Sequence, residues 1–286
     1  MSDSRQNMVF LHLAVLLFGV AGLFGKTVGG GAWVIVAGRT VFAALALLLF
    51  ARWRGVSLAV SRVDVGRFLL SGALLAAHWW TFFHAIALSS VAVGLLGFAS
   101  FPVFVALLEP MATGERSSRQ DKLMIALVTV GLLLVVPEYR FGSAATQGLL
   151  WAVLSGLLFA LLALANRKLA VYGPVRVAFW QNGVAALLLA PVGWPLLWAA
   201  PAADWWRLLL LGVVFTALAH GLFIASLRSV PARLAAVVSA LEPVYGIGLA
   251  WMLFAEAPDA RMLAGGAVIL VATVWASAHH AGKPAH

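Results

Sequence analysis

Residues 83–92 of the chain read FHAIALSSVA, and residues 223–232 read FIASLRSVPA. The two stretches lie 140 positions apart, and four identities recur in the same order at that spacing. These identities are Phe83 and Phe223, Ala85 and Ala225, Ser89 and Ser229, and Ala92 and Ala232. The chain is therefore predicted to contain a degenerate internal repeat.

A second correspondence lies a few residues further along, at a spacing of 141. It places Pro102 on Pro243 and Glu115 on Glu256, so the glutamate follows the proline by thirteen residues in both copies. Because the matches keep their order, they indicate a duplication of the whole chain rather than a chance likeness of two segments.

Ten apolar stretches fill nearly all of the 286 residues, of which 63% are hydrophobic and 10% are charged, with a mean hydropathy of +1.01. About 20 helical residues span the hydrocarbon core of a bilayer, and uninterrupted apolar runs indicate helices rather than barrel strands. The predicted crossings, numbered 1 to 10, are residues 8–28, 32–50, 68–88, 91–112, 122–137, 147–165, 177–199, 205–227, 234–254 and 262–279.

The repeat divides these crossings into two sets of five, in halves 1–141 and 142–286. Each crossing reverses the direction of the chain, so a copy of five crossings is inverted relative to the original. Inverted repeats recur in membrane transporters, which bind substrate near the bilayer midplane between the repeats. The predicted fold is an all-α integral membrane protein whose ten transmembrane helices form two inverted five-helix repeats.

The formal net charge of +9 is distributed unevenly over the predicted connections. Fourteen of the nineteen Lys and Arg residues fall on the side of the termini, four fall on the opposite side, and Arg39 lies within a helix. This asymmetry predicts a multi-pass protein of the inner (plasma) membrane with both termini in the cytoplasm. The basic residues are thus assigned to topology and contact with membrane lipid, and not to nucleic acid.

Short segments in both halves carry a family resemblance. Residues 241–245 read LEPVY and residues 254–256 read FAE, while residues 101–104 read FPVF and residues 114–115 read GE. Together with Arg39, which precedes an Ala/Leu-rich run, they resemble the drug/metabolite transporter superfamily, in particular ten-helix exporters with two EamA-type halves. The aromatic-rich first half is similar to YddG-type exporters of aromatic and amphipathic amino acids. The resemblance covers essentially the full length and implies export of amino acids or related small metabolites.

Matched prolines and nearby glycines suggest hinges in crossings 4 and 9. Crossing 4 contains Gly94, Gly97 and Pro102, and crossing 9 contains Pro243 and Gly246. A proline within a helix removes a backbone hydrogen bond and usually kinks it, and the recurrence at matched positions favours hinges for alternating access. The alternative is that membrane helices simply tolerate Pro and Gly.

Arg39 and Glu242 are the charges placed deepest in the predicted helices. Each lies about eight residues from the nearer helix end, roughly 12 Å into the bilayer, where a charge costs on the order of 3 kcal/mol unless it faces the protein interior. They are candidates to bind the carboxylate and the ammonium of a zwitterion. A structural network is the alternative for both. Gln181 in crossing 7 is a further candidate, with helix bridging as its alternative role.

A central binding site is predicted between the two halves. His78 and Phe82 share a helical face because they lie four residues apart, and Phe101 of the first half occupies the repeat position of Glu242. One wall of the site is thus expected to be aromatic and the other polar. The predicted substrate-binding residues are His78, Phe82, Phe98, Phe101, His220, Glu242 and Tyr245, with Arg39 and Gln181.

Other functions lack the residues that they require. The chain has no cysteine, no clustered metal ligands, no nucleophile–base pair and no GxxxxGK[ST] motif, so no cofactor, metal site or catalytic residue is expected. The predicted function is secondary transport of a small-molecule substrate by alternating access. A channel or facilitator for other small polar or aromatic metabolites or drugs is the alternative. The sequence leaves a homodimer and proton coupling open.

Overall fold

The apolar runs form helices because a helix satisfies its backbone hydrogen bonds internally, which a lipid environment requires. The computed structural model describes residues 2–113, 118–136, 139–226, 230 and 238–280. Within these residues ten helical crossings follow one another: Ser2–Ala21 with Phe24–Thr27, Gly31–Trp53, Val65–Leu88, Val91–Phe98 with Phe101–Thr113, Arg119–Val135, Ala144–Leu169, Pro174–Trp198, Ala202–Gly212 with Val213–Leu218 and Ala219–Ser226, Glu242–Phe254, and Ala260–His280.

The predicted all-helical membrane fold is confirmed. Seven of the helical segments in the described part of the chain are long and apolar enough to cross a membrane, and Ala260–Ala276 is a shorter apolar helix. Several helices extend beyond the predicted runs, since polar helix ends carry no hydropathy signal: crossing 1 starts at Ser2, and crossing 6 continues to Leu169. The predicted start of crossing 9 at residues 234–237, and the repeat positions Glu115, Ser229 and Ala232, lie outside the described residues.

Crossings 4 and 9 are interrupted where the sequence predicted a kink. Crossing 4 turns at Ala99 and Ser100 and resumes with Pro102 in the first helical turn. Crossing 9 turns at residues 240–241 and resumes with Pro243 in the same position. Proline is well tolerated in a first helical turn, where its missing N–H has no intrahelical partner. The two prolines thus begin new helices and do not bend continuous ones.

The packing of the crossings follows the internal repeat. Crossing 1 packs on crossings 8 and 9, and its counterpart, crossing 6, packs on crossings 3 and 4. Crossing 2 packs on crossing 8, and crossing 7 packs on crossing 3. Other extensive contacts between the halves, within the described residues, join counterparts: 2 with 7, 4 with 9, and 5 with 10. Each contact listed here between two crossings is matched by a contact between their two counterparts. A twofold axis that relates the halves would produce this symmetry. The boundary at residues 141 and 142 stays a prediction.

Glycines allow the closest approaches between the halves. A Cβ atom on Gly19 of crossing 1 would lie 2.8 Å from the carbonyl oxygen of Glu242, and one on Gly246 would lie 3.0 Å from the carbonyl oxygen of Gly19. Crossings 5 and 10 approach in the same way at Gly131 and Gly265. Small residues permit such backbone contact in membrane helix packing.

Candidate functional site

Four of the predicted site residues lie together at the break in crossing 4. The ring of Phe98 lies 5.2 Å from the ring of His78, 5.7 Å from Phe82 and 5.5 Å from Phe101, measured between centroids. His78 and Phe82 project from the same face of crossing 3, as their spacing predicted, and both are buried. The turn at residues 99–100 brings Phe98 and Phe101 into stacked contact. We call these four residues and Phe159 the aromatic cluster.

Phe159 of crossing 6 completes the aromatic cluster and was missed by the sequence analysis. Its ring centroid lies 4.9 Å from that of His78, and 5.3 Å from those of Phe98 and Phe101. The repeat contained the signal, because Phe18 precedes Phe159 by 141 residues. Phe18 of the first half contacts His220 of the second half at 5.2 Å, just as Phe159 of the second half contacts His78 of the first.

Both histidines are anchored to backbone carbonyls. Nδ1 of His220 lies 2.9 Å from the carbonyl oxygen of Thr216, and Nδ1 of His78 lies 3.1 Å from the carbonyl oxygen of Ser155 and 2.8 Å from its hydroxyl. A carbonyl oxygen only accepts, so Nδ1 of each ring is assigned as the protonated nitrogen. Nε2 of each ring has no hydrogen bond within the part of the chain that the structure describes, and it is available to a ligand.

Arg39 is the buried cation of the site. Its side chain is only 4% exposed, and its guanidinium carbon lies 3.7 Å from the centroid of the Trp79 ring. Nε and Nη2 both donate to Oγ1 of Thr216, at 3.2 Å and 2.9 Å. Thr216 belongs to the π-helical turn Val213–Leu218 of crossing 8, a distortion that is frequent at functional sites. Arg39 thereby joins crossings 2, 3 and 8 across the two halves.

Neither deep charge has a counter-ion among the residues that the structure describes. Arg39 has no carboxylate contact and Glu242 has no ion pair or hydrogen bond among the described residues, so the two do not pair with each other there. The contacts of Arg39 to Thr216 and Trp79 also fit the structural role that was its alternative. A buried charge without a counter-ion is costly, so both groups are suited to a ligand that brings the opposite charge.

Gln181 and Tyr245 lie apart from the aromatic cluster. Nε2 of Gln181 donates to Oδ1 of Asn166 at 2.6 Å, which bridges crossings 6 and 7 and fits the alternative role named for it. Tyr245 packs beside Leu11 and Val15 of crossing 1 and lines a groove on that helix. The three hinge glycines are packing contacts: a Cβ atom would lie 2.4 Å from Ile86 at Gly94, 2.5 Å from Ala152 at Gly97, and 2.3 Å from Leu95 at Gly246.

An ion pair joins the two halves at one end of the bundle. Nζ of Lys26 lies 3.2 Å from Oε1 of Glu256 and donates to the carbonyl oxygen of Ser89 at 2.8 Å. Oε2 of Glu256 accepts from the backbone N–H of Val91 at 3.0 Å. The cation thus sits at the C-terminus of crossing 3 and the anion at the N-terminus of crossing 4, where helix dipoles favour each. This pairing was not predicted from the sequence.

Further contacts tie the halves at both ends. Beside Lys26, Asp204 of crossing 8 accepts from the N–H of Gly29 at 2.9 Å. At the other end, the hydroxyl of Tyr172 donates to Asp64, and Nε of Arg176 donates to the carbonyl oxygen of Ser57 at 2.6 Å. The aromatic cluster and Arg39 lie between these two sets of contacts. The described residues contain no group of acidic or histidine side chains that could hold a metal ion.

The family model of the EamA-like transporters matches residues 6–136 and again residues 146–278. The chain belongs to the EamA-like transporter family. Its two matched regions are consistent with the two repeats, and the family lies in the drug/metabolite transporter superfamily. The EamA-like chain is therefore a multi-pass membrane transporter and not an enzyme.

Similar proteins support this membership. The pseudopaline exporter CntI of two Pseudomonas aeruginosa strains is 28% identical over 230 residues, which is 80% of this chain and 80% of the exporter. The uncharacterized transporter YxxF of Bacillus subtilis is 23% identical over 283 residues, covering 96% of this chain and 91% of that protein. A solved crystal structure covers 97% of both chains with a TM-score of 0.66 at 19% identity, so it shares the fold. The finer likeness to YddG-type exporters stays a prediction.

Proposed function

We propose that this protein exports amino acids or similar small zwitterionic metabolites across the inner membrane by alternating access. The observation that carries the proposal is Arg39, a buried cation with no carboxylate partner in the described residues, held between the two halves. Two of its nitrogens donate to Thr216, and the remaining N–H donors can bind a substrate carboxylate. Such a carboxylate would supply the missing counter-charge.

The aromatic cluster and Glu242 supply the other two contacts that an amphipathic amino acid needs. Rings in edge and stacked contact give an apolar wall for a side chain. Glu242 begins the helix that follows the break in crossing 9, and its carboxylate is suited to a substrate ammonium. This division into an aromatic wall and a polar wall favours the YddG-like substrate range over a purely polar one.

Alternating access requires that the halves rearrange around the site, and the breaks before Pro102 and Pro243 are the proposed hinges. They occupy matched positions, so each half contains one. During this rearrangement the helices that meet closely at Gly97 and at Gly246 would separate or slide past each other. The turns before the prolines would change the angle between the two helices that each turn joins. The Lys26–Glu256 ion pair would open at one stage of the cycle.

A transport assay in proteoliposomes tests the function directly. Labelled phenylalanine, leucine, serine and glutamate are loaded, and efflux is measured with and without a pH gradient. We expect efflux to be saturable and to be inhibited by aromatic and branched amino acids. The corresponding amines, which lack the carboxylate, should not inhibit it. Efflux that never saturates would indicate the alternative, a channel. Pseudopaline is the second candidate substrate, because the relative that exports it is 28% identical over 80% of the chain.

The termini are expected to lie in the cytoplasm. Fourteen basic residues fall on their side and four on the other, and such a bias sets membrane orientation. Phosphatase and fluorescent-protein fusions after Ala285 should therefore show fluorescence without periplasmic phosphatase activity. Phosphatase activity in the periplasm would contradict both the topology and the inverted repeat.

Replacing Phe101 with alanine should change selectivity more than activity. Phe101 stacks on Phe98 and contacts Phe159, so its loss opens space in the apolar wall and leaves Arg39 in place. We expect inhibition by tryptophan or phenylalanine to weaken roughly tenfold relative to inhibition by serine, about 1.4 kcal/mol. Phe141, an exposed aromatic residue outside the site, provides the control as Phe141→Ala. An unchanged inhibition profile would remove Phe101 from the lining.

A further inference from the structure

A groove of about 440 Å³ runs along the outer face of crossing 1, away from the proposed transport site. Its walls are mostly apolar, and several lining side chains are well exposed, including Val9 at 59% and Leu13 at 41%. Tyr245, just after the break in crossing 9, closes one end. The lining residues are Arg5, Met8, Val9, His12, Leu13, Leu16 and Tyr245.

The length of the groove matches one leaflet of a bilayer. Arg5 and Leu16 are eleven residues apart on one helix, which corresponds to about 16 Å at 1.5 Å per residue. The hydrocarbon core is about 30 Å thick, so half of it is about 15 Å. Arg5, Val9, Leu13 and Leu16 follow one another at helical spacing, so the groove runs parallel to the helix axis with its cation at the end nearest the chain terminus.

Two polar side chains on this outer surface, Arg5 and His12, have no partner among the residues that the structure describes. Arg5 and His12 are exposed, and neither makes a hydrogen bond or an ion pair within residues 2–113, 118–136, 139–226, 230 and 238–280. His12 lies about 10 Å deeper than Arg5 along the helix. Ionisable side chains within the membrane normally face the protein interior or pair with another group. A polar group of a bound lipid would give His12 such a partner.

We propose that the groove binds one anionic phospholipid. The phosphate lies against Arg5, whose guanidinium suits phosphate oxygens, and the glycerol ester region lies against His12, which can donate to an ester carbonyl. An acyl chain then follows Leu13 and Leu16 to Tyr245. A zwitterionic phospholipid fits the apolar walls equally well and has the same esters, but its headgroup amine repels Arg5.

The lipid would also stabilise the packing of crossing 9 on crossing 1. Tyr245 lies two residues beyond Pro243, and its Cβ is 3.1 Å from where a Cβ atom on Gly19 would lie. Tyr245 also packs against Leu11 and Val15 in the same small apolar group of side chains. An acyl chain that packs against Tyr245 would therefore cover the outer side of the contact between crossings 1 and 9.

Native mass spectrometry of the purified full-length protein tests the proposal. The protein is exchanged into detergent with either phosphatidylglycerol or phosphatidylcholine of the same acyl chains. We expect one retained phosphatidylglycerol per chain, at least fivefold preference over phosphatidylcholine, and a higher thermal unfolding midpoint in phosphatidylglycerol. Arg5→Gln should abolish the preference and the thermal shift. Leu13→Trp, which fills the groove, should reduce retention of both lipids.

Arg54→Gln is the matched control, because Arg54 is an exposed cation at a helix end away from the groove. It should retain phosphatidylglycerol as the unaltered protein does. Equal retention of both lipids by the unaltered protein would overturn the proposal, as would full phosphatidylglycerol retention in Arg5→Gln. All variants should elute as single species on size exclusion, and a misfolded Leu13→Trp would leave the Arg5 comparison intact since Arg5 is exposed.

Discussion

Replacing Arg39 with lysine is expected to reduce transport of zwitterionic substrates roughly 100-fold, although the charge is kept. Lysine is a compact charge without the planar fork, so it loses the stacking on Trp79 and the paired bonds to Thr216. A charge-assisted hydrogen bond to a carboxylate contributes about 1.5 to 3 kcal/mol, which corresponds to a loss of about 10- to 150-fold. The measurement is efflux from proteoliposomes at matched protein amounts.

Two controls separate binding from folding. Thr216→Val removes the hydroxyl that holds Arg39 but leaves the guanidinium over Trp79, so the loss should be smaller, on the order of tenfold. Arg39→Lys loses buried contacts to Trp79 and Thr216, so its thermal unfolding midpoint should fall somewhat, while its size-exclusion profile should stay that of the unaltered protein. Normal KM and turnover in Arg39→Lys would show that Arg39 is no ligand. A variant that fails to accumulate, while Thr216→Val transports normally, would identify a structural role.

The parts of the site that local spacing determines were predicted from the sequence. His78 and Phe82 share a face because they are four residues apart on a helix, and Phe98 and Phe101 meet at the break before Pro102. The helical fold followed from apolar run length alone. These features depend on residues close in the chain, where helix geometry leaves few arrangements.

The parts that depend on long-range pairing were not predicted. Thr216 binds Arg39 from 177 positions away, because a π-helical turn in crossing 8 presents its hydroxyl, and no sequence pattern reveals that turn. Gln181 was placed near the site, yet it bonds to Asn166 at the junction of crossings 6 and 7. Hydropathy gives the length of a helix but not which polar side chains on neighbouring helices will meet.

Cross-linking Lys26 to Glu256 is expected to stop transport completely and reversibly. The ion pair joins the end of crossing 1 to the segment after crossing 9, and its two residues bind the facing ends of crossings 3 and 4. If this end must open for substrate to pass, a covalent link holds it closed. The chain has no cysteine, so a protein carrying Lys26→Cys and Glu256→Cys contains only these two thiols. Efflux is measured before cross-linking with a short bis-methanethiosulfonate, after it, and after a reductant has cleaved the two disulfides that the reagent forms with the cysteines.

Charge exchange provides an independent test of the same contact. Lys26→Glu alone places two carboxylates where the ion pair was, so their repulsion should favour the open state of this end. We expect preloaded substrate to leak roughly tenfold faster, which corresponds to a shift of about 1.4 kcal/mol in the free energy of closure. Glu256→Lys alone should act in the same direction. The double exchange should restore the seal only in part, because it restores the attraction but not the bonds to the carbonyl oxygen of Ser89 and the N–H of Val91. Either single-cysteine variant should be unaffected by the reagent. Full transport in the cross-linked protein would mean that this end never opens, and the pathway would then have to pass elsewhere between the halves.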